Sequence, residues 1–235
     1  MSQTLLRRLF PRDLHHVAGF HQVIAQTTPE RGRLLDLGCG VNCDLATYRT
    51  ADREVWGADF QRHPHLEHAG WFRQLGADGS IPFPDAHFDA VATVMVLEHV
   101  VAPEPFFREV ARVLKPGGRF IGHSISGTHY VTLLRRLIGV LPHSFNQFLV
   151  KKLYHRAEVD TFPAYYRLNT PRQLRRHAAM AGLTLQALHR YADPGYFHFS
   201  APLEALAIVT DRLLDGVMSG CGRLYFTFVA QKPER

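Results

Sequence analysis

The chain has 235 residues, of which 46% are hydrophobic and 20% charged, so it holds enough apolar material for one domain with a sizeable core. No window approaches the roughly 18 unbroken apolar residues of a membrane span. The opening stretch MSQTLLRRLFPRDLHH carries Arg7 and Arg8 but no long apolar run and no small-residue cleavage site. A cytoplasmic protein without a secretion signal is therefore expected.

The net charge of +6 favours anionic partners in general without selecting one. Three cysteines, Cys39, Cys43 and Cys221, form no C-x-x-C pair, which argues against a disulfide framework and a zinc pattern. The fifteen histidines are scattered, and no metal site is expected.

In chain order, residues 1–30 read as an N-terminal helical cap. RLLDLG (Arg33–Gly38) reads as a strand entering a glycine turn, EVWGADF (Glu54–Phe60) as a second strand ending near Asp59, and WFRQL (Trp71–Leu75) as a third. FDAVATVMVL (Phe88–Leu97) has the unbroken apolar, β-branched character of a strand covered on both faces. A helix then opens at Pro103, with Phe106, Val110, Val113 and Leu114 on one face, and stops at Pro116-Gly117-Gly118. RFIGHSI (Arg119–Ile125) is the fifth strand.

The alternation lapses over residues 130–168, which read as an insertion and candidate substrate lid. It resumes at a helix with Thr170 as N-cap, Pro171 in the first turn, Gln173 completing a capping box and Gly182 closing the C-terminus. A sixth strand at Leu183–Tyr191 follows. Leu203, Leu206, Ala207, Thr210, Leu213 and Leu214 then fit one helical face, and GRLYFTFVAQK closes as a seventh strand. Strands interleaved with helices predict an α/β fold with a largely parallel sheet in a single domain over 1–235.

The stretch LLDLGCGVN (Leu34–Asn42) selects among ligands. A dinucleotide fingerprint G-x-G-x-x-G would have its third glycine where Cys43 stands, and Asp36 would set a negative charge beside a pyrophosphate. That repulsion, in a partly desolvated cleft, is on the order of several kcal/mol. S-adenosylmethionine has no phosphate and carries two positive groups, so Asp36 suits its methionyl end. Gly38 and Gly40 let backbone approach the ligand closely, and Asn42 tolerates the left-handed conformation of the looser G-x-G-x-G form. Asp59 suits bidentate acceptance from a ribose diol, and Asp78 beside Gly79 suits acceptance from an adenine amine. Each of the three acids sits at the carboxyl end of a successive predicted strand, where open α/β sheets bind ligands.

On LLDLGCGVN, VWGADF, ADGSIPFPDAHFDAVATVMVLEHV and REVARVLKPGGRF, the chain resembles the class I S-adenosylmethionine-dependent methyltransferases, in particular the small-molecule branch that includes quinone-biosynthesis methyltransferases. The resemblance implies a Rossmann-like seven-stranded sheet of order 3-2-1-4-5-7-6 with one antiparallel strand. It implies cofactor contacts at Asp36, Gly38, Cys39, Gly40, Asp59, Phe60, Asp78, Gly79, Leu97 and Glu98. The absent third glycine is a departure that touches the turn geometry.

Methyl transfer is an in-line displacement at a sulfonium methyl, served mainly by alignment and, for some acceptors, by a base. His99 and His123, after the fourth strand and within the fifth, are the candidate catalytic residues. His129, Tyr130, Tyr165 and Tyr166 are candidates for lining the acceptor pocket. No N/D-P-P-Y/F/W motif, Pro-Cys pair or double-glutamate loop is present, which disfavours nucleic-acid and protein-arginine acceptors. The expected activity is methylation of a small molecule, lipidic or envelope-related, by a monomer or homodimer. Two alternatives stand beside it: a non-catalytic cofactor-binding or partner-activating member of the fold, and an RNA methyltransferase. The Leu133–Tyr154 stretch, with Arg135, Arg136, Lys151 and Lys152 beside an apolar face, also suits peripheral membrane contact.

Overall fold

The computed structural model describes residues 2–11, 13, 15–41, 43–62, 65–66, 70–138, 163–193, 197, 199–218 and 220–234. Strands β1 (Gly32–Leu37), β2 (Arg53–Asp59), β3 (Phe72–Gln74), β4 (Phe88–Val94), β5 (Leu114–Ile125), β6 (Thr184–Tyr191) and β7 (Tyr225–Gln231) form one sheet of order β3-β2-β1-β4-β5-β7-β6. The helices are α1 (Ser2–Leu9), α2 (His16–Thr27), α3 (Pro103–Val113), α4 (Tyr130–Ile138), α5 (Pro171–Met180) and α6 (Ala201–Val217). None of the described helices is long and apolar enough to cross a membrane.

The central strand β1 pairs in parallel with β2 from Gly32↔Arg53 to Leu37↔Ala58, and with β4 from Leu34↔Ala90 to Asp36↔Ala92. Strand β5 joins β4 in parallel from Ala90↔Arg119 to Val94↔His123. On the far side, Gly117 N–H donates to Lys232 O while Ser126 N–H donates to Leu224 O. Numbers that rise along β5 meet numbers that fall along β7, so β7 runs antiparallel, and the expected sheet order holds throughout.

Alternation along β5 sends Ile121 and Phe120 to opposite faces. Ile121 joins Leu34, Val55, Ala90 and Ala92 under Phe20, Val23 and Ile24 of α2. Phe120 meets Phe107 of α3 edge-on at 5.5 Å and Phe228 of β7 at 5.2 Å. Helices thus cover both faces, which is why β4 is apolar on both.

The chain divides into two compact units: residues 1–19, 125–164 and 190–226 form the smaller, and 20–124, 165–189 and 227–235 the larger. In the smaller unit Phe10, Ala192 and Ile208 pack with Leu5, Leu6 and Leu9. Arg223 pairs with Asp13 and, at 3.1 Å, with Asp215, while Asp13 also accepts from Ala192 N–H at 3.1 Å. Burial pushes the His16 imidazole down to about 4 against the pull of Asp193.

Among the differences from the pattern-based expectation are two boundaries and one helix face. Strand β4 ends at Val94, and the chain then turns at Met95, whose φ of 55° is rare for a bulky residue. Leu97–His99 form a 3-10 turn outside the strand. Helix α3 ends at Val113, before the Pro-Gly-Gly, and β5 already runs from Leu114. The third difference is in α6. Its buried residues are Glu204, Ala207, Ile208 and Asp211, while Leu203, Leu206 and Leu213 are exposed. That face combines apolar packing of Ile208 against Phe10 and Ala192 with a polar bond, in which Asp211 accepts from His129 Nε2 at 3.1 Å. Hydrophobic periodicity does not detect that bond.

Helix α5 follows its expected start and stop, except that the Gln173 side chain accepts from the Thr170 hydroxyl at 2.8 Å in place of the reciprocal capping-box bond. Thr170 Oγ1 accepts from Gln173 N–H at 3.3 Å, Pro171 opens the helix, and Gly182 just past its end has φ +75°. Of the insertion expected at 130–168, α4 and residues 163–168 are described. The rest, with Pro142, Lys151 and Lys152, lies outside the described residues, as does Asn42.

Arg112 on α3 clamps the loop that leads into β4. Its guanidinium donates to the carbonyls of Ile81 and Phe83 and to Asp85 and Glu109, and Glu109 in turn accepts from Ile81 N–H at 2.8 Å. Arg112→Ala removes several charge-assisted bonds at a half-buried site and should cost about 1–3 kcal/mol of unfolding free energy, measured by urea denaturation. An unchanged midpoint would show that the clamp contributes nothing.

Candidate active site

The switch in connection direction lies between β1 and β4, and the two strands part after Asp36↔Ala92. Thr93 is fully buried beside this fork, and its hydroxyl donates to Leu37 O at 2.9 Å, satisfying a carbonyl that the ladder leaves. Open α/β sheets bind ligands in such a crevice, at the carboxyl ends of the strands.

The glycine turn rises from β1 into this crevice. Gly38 and Cys39 N–H groups both donate to Ala58 O, at 2.7 and 3.2 Å. Gly38 has φ +77°, and a Cβ there would meet Val96 Cγ2 at 2.4 Å, so glycine is required on two counts. Gly40 has φ +54°, and among the described residues nothing lies within 4 Å of where its Cβ would stand. Its N–H donates to Asp59 Oδ2 at 2.9 Å, while Gln61 N–H donates to Oδ1 at 3.1 Å. Asp59 thus fixes the turn and keeps acceptor capacity on both oxygens.

Asp36 lies deeper, at 4% exposure. Burial pushes its carboxyl up to about 7, and the charges of Asp44 and Asp59 add to the rise. Hydrogen bonds from Leu45 N–H, at 3.4 Å, and from the Cys43 thiol oppose it. Cys43 itself holds φ 47° and leads into the 3-10 turn Asp44–Tyr48, so the carboxyl anchors the segment following the glycines. The hydrogen bond to Cys43 and then burial drive the Cys39 thiol upward, which keeps it an unreactive thiol.

The remaining cofactor candidates stand at neighbouring strand ends. Phe60, directly after Asp59, is 57% exposed, a large apolar ring left open to solvent. Asp78 is exposed in a turn, its Oδ1 accepting from Ser80 N–H at 3.0 Å. Together with the Ser80 hydroxyl, this draws the carboxyl below its usual range. Gly79 beside it has φ +85°.

Leu97 and Glu98 are buried in the turn after β4, and partly exposed His99 shares that turn. Glu98 Oε2 accepts from Ser124 Oγ at 2.6 Å, and Ser124 accepts from Asn169 Nδ2 at 2.9 Å. The Glu98 carbonyl accepts from the N–H groups of Tyr165 and Tyr166, at 2.7 and 3.2 Å. A buried polar chain therefore joins the exits of β4 and β5 to the segment before α5. Ser124 and Asn169 were not among the sequence candidates. Ser124, a hydroxyl within the largely apolar strand RFIGHSI, carries a local signal, whereas Asn169, just before the Thr170 cap, carries none.

The histidine candidates separate. His123 is 1% exposed, its Nδ1 within 2.9 Å of Thr227 Oγ1 and its ring 5.4 Å from that of Phe20. His129 and Tyr130 belong to the smaller unit. His129 Nδ1 accepts from Val131 N–H at 3.3 Å, which leaves Nε2–H to donate to Asp211. Burial, then Asp211, pushes the Tyr130 hydroxyl above its ordinary range. Tyr165 is exposed with the Arg167 guanidinium 5.5 Å from its ring, while Tyr166 is buried with φ 53°.

Residues 35–122 match a family model described as a methyltransferase domain. Over 111 residues the chain is 36% identical to a fatty-acid O-methyltransferase of Mycolicibacterium smegmatis, covering 43% of this chain and 40% of that protein. Over 129 residues it is 30% identical to the demethylmenaquinone methyltransferase of Tropheryma whipplei, covering 51% and 52%. The chain thus spans about half the length of the curated relatives it matches. A solved S-adenosylmethionine-dependent methyltransferase from Methanosarcina mazei superposes with a TM-score of 0.59 at 20% identity, over 95% of this chain and all of that one. Residues 35–122 are therefore similar to a methyltransferase domain, and the chain has the Rossmann-like fold of the solved methyltransferase it superposes on.

Proposed function

We propose that the protein binds S-adenosylmethionine in the crevice above β1, β2 and β4 and methylates a small, apolar or lipidic acceptor. The observation that carries this reading is the turn at Gly40: open space where a side chain would stand, with a carboxylate of free acceptor capacity beside it. A ribose diol donates two hydroxyls, and the two oxygens of Asp59 can each accept one. Asp36 supplies negative charge below the turn for the cationic methionyl end, and no phosphate would be welcome above it. The adenine would lie toward Phe60 and Asp78, an exposed ring and an exposed carboxylate.

S-adenosylmethionine supplies an activated methyl on a positive sulfur, open to in-line attack. The chain's own contribution is alignment and exclusion of water. The Glu98–Ser124–Asn169 chain holds the exits of β4 and β5 in one geometry, which positions the turn carrying His99. We assign proton acceptance, for acceptors that need it, to His99, which is partly exposed, in preference to the enclosed His123. Support for an apolar acceptor comes from the names of the two relatives, one acting on fatty acids and one on demethylmenaquinone.

Calorimetry with S-adenosylmethionine and its demethylated product tests the first step, and absence of binding below millimolar concentration would sink the proposal. Asp59→Ala should weaken binding at least roughly tenfold, a loss of about 1.4 kcal/mol. Affinity should also fall as pH drops below about 7, because Asp36 then takes up a proton and loses the charge the cofactor meets. Asp36→Asn should flatten that pH profile.

The same substitution has an opposite effect on the free protein. The Asp36 carboxyl has a folded value of about 7 against 3.8 unfolded, so the folded state binds the extra proton. Stability is therefore lost as pH rises from about 4 to 7, with the full cost, on the order of 4 kcal/mol, present above that. Asp36→Asn should raise the Tm at pH 8 and leave it nearly unchanged at pH 4. Equal shifts at both pH values would refute the assignment of that cost to Asp36.

A further inference from the structure

Outside the crevice, the smaller unit brings three metal-ligating side chains together. The Nε2 atoms of His15 and His16 lie 3.7 and 3.3 Å from the same carboxylate oxygen, Oδ2 of Asp193. All three donor atoms fall within 4.8 Å of one another. Both nitrogen–oxygen distances exceed the 2.7–3.2 Å range of ordinary N–H···O bonds, so the two rings converge on this oxygen without a close hydrogen bond to it. The His16 separation of 3.3 Å matches the edge of a tetrahedron, since metal–ligand bonds of about 2.0–2.1 Å put neighbouring ligands roughly 3.3 Å apart, and the more exposed His15, at 3.7 Å, stands slightly wider.

The surroundings hold this arrangement without an ion. The His16 ring is stacked on Tyr225 at 3.8 Å with an interplanar angle of 7°. Asp13 accepts from Ala192 N–H, so the segment leading to the histidines is tied to the residue before Asp193. The side chains of His16 and Asp193 are 16% and 15% exposed and form a fixed floor, while His15 at 64% is free to close over an ion.

We propose that His15, His16 and Asp193 bind one divalent transition ion of the zinc class. Two imidazoles and one carboxylate suit borderline ions such as zinc, cobalt or nickel, whereas calcium and magnesium prefer oxygen-rich sets. Three protein ligands leave a fourth position for water. The ion clips the start of α2 to the loop following β6, so binding stabilises the fold and is independent of the methyl-transfer reading.

The test uses the full chain, stripped with chelator and titrated with cobalt(II). Visible absorption reports tetrahedral coordination, and thermal denaturation with zinc(II) gives a second readout. Wild type should bind one cobalt ion with a Kd of roughly micromolar order and melt at higher temperature with zinc. His16→Ala and Asp193→Asn should each weaken binding more than roughly tenfold. His15→Ala should do the same, and its exposed side chain can be removed without disturbing the core. His87→Asn, in the larger unit, should leave binding unchanged. Absence of saturable binding, or binding that survives all three ligand variants, would overturn the site.

Discussion

The hydrogen bond from Gly40 N–H to Asp59 joins the exits of the two adjacent strands β1 and β2 into one rim. Both partners are constrained from below. Gly38 is pressed against Val96, and Ala58 O takes the N–H groups of Gly38 and Cys39, so the turn has no alternative path. A side chain at Gly38 would collide with the loop leaving β4, and one at Gly40 would fill the space above the turn. The carboxylate that closes this rim is also the one we propose as the ribose acceptor, so in that reading one group serves both local architecture and ligand recognition.

Asp36 shows the cost of this arrangement. An ionised carboxylate at 4% exposure is held by a long bond to Leu45 N–H and by a thiol, weak compensation for lost water. A purely structural residue at the end of β1 would be apolar. Retaining an acid there destabilises the free protein and leaves an uncompensated negative charge under the glycine turn. In the proposed reading a cationic cofactor would compensate that charge, which is a physical reason for tolerating it. Met95 and Cys43, both at positive φ beside the same crevice, add local strain of the kind that concentrates at functional sites.

Much of this was legible in sequence because it depends on neighbours along the chain. Glycine turns, Pro and Thr at helix starts, and apolar runs between them place the strands within a few residues. The end of β4 is hidden in the sequence because Met95, Val96 and Leu97 continue the apolar run, while the backbone reverses at Met95. The start of β5 is hidden because Pro116-Gly117-Gly118 reads as a stop, yet Gly117 finds its partner in Lys232, far along the chain. On α6 the leucines Leu203, Leu206 and Leu213 mark a face that is exposed, while Ile208 and Asp211 turn inward, Ile208 onto Phe10 and Asp211 onto His129.

The sequence by itself determined the sheet order, through its resemblance, and the three acids at successive strand ends, through spacing. Those are properties of short segments, and local backbone preference and charge suffice to read them. Tertiary structure alone decided that Glu98 is bonded to Ser124 and, through it, to Asn169. It decided too that His123 is enclosed, and that His15, His16 and Asp193 share one point in space. Each of these joins residues distant in the chain through atoms a few ångströms apart. Such proximity is set by how the elements pack, a quantity that no periodicity or local motif encodes.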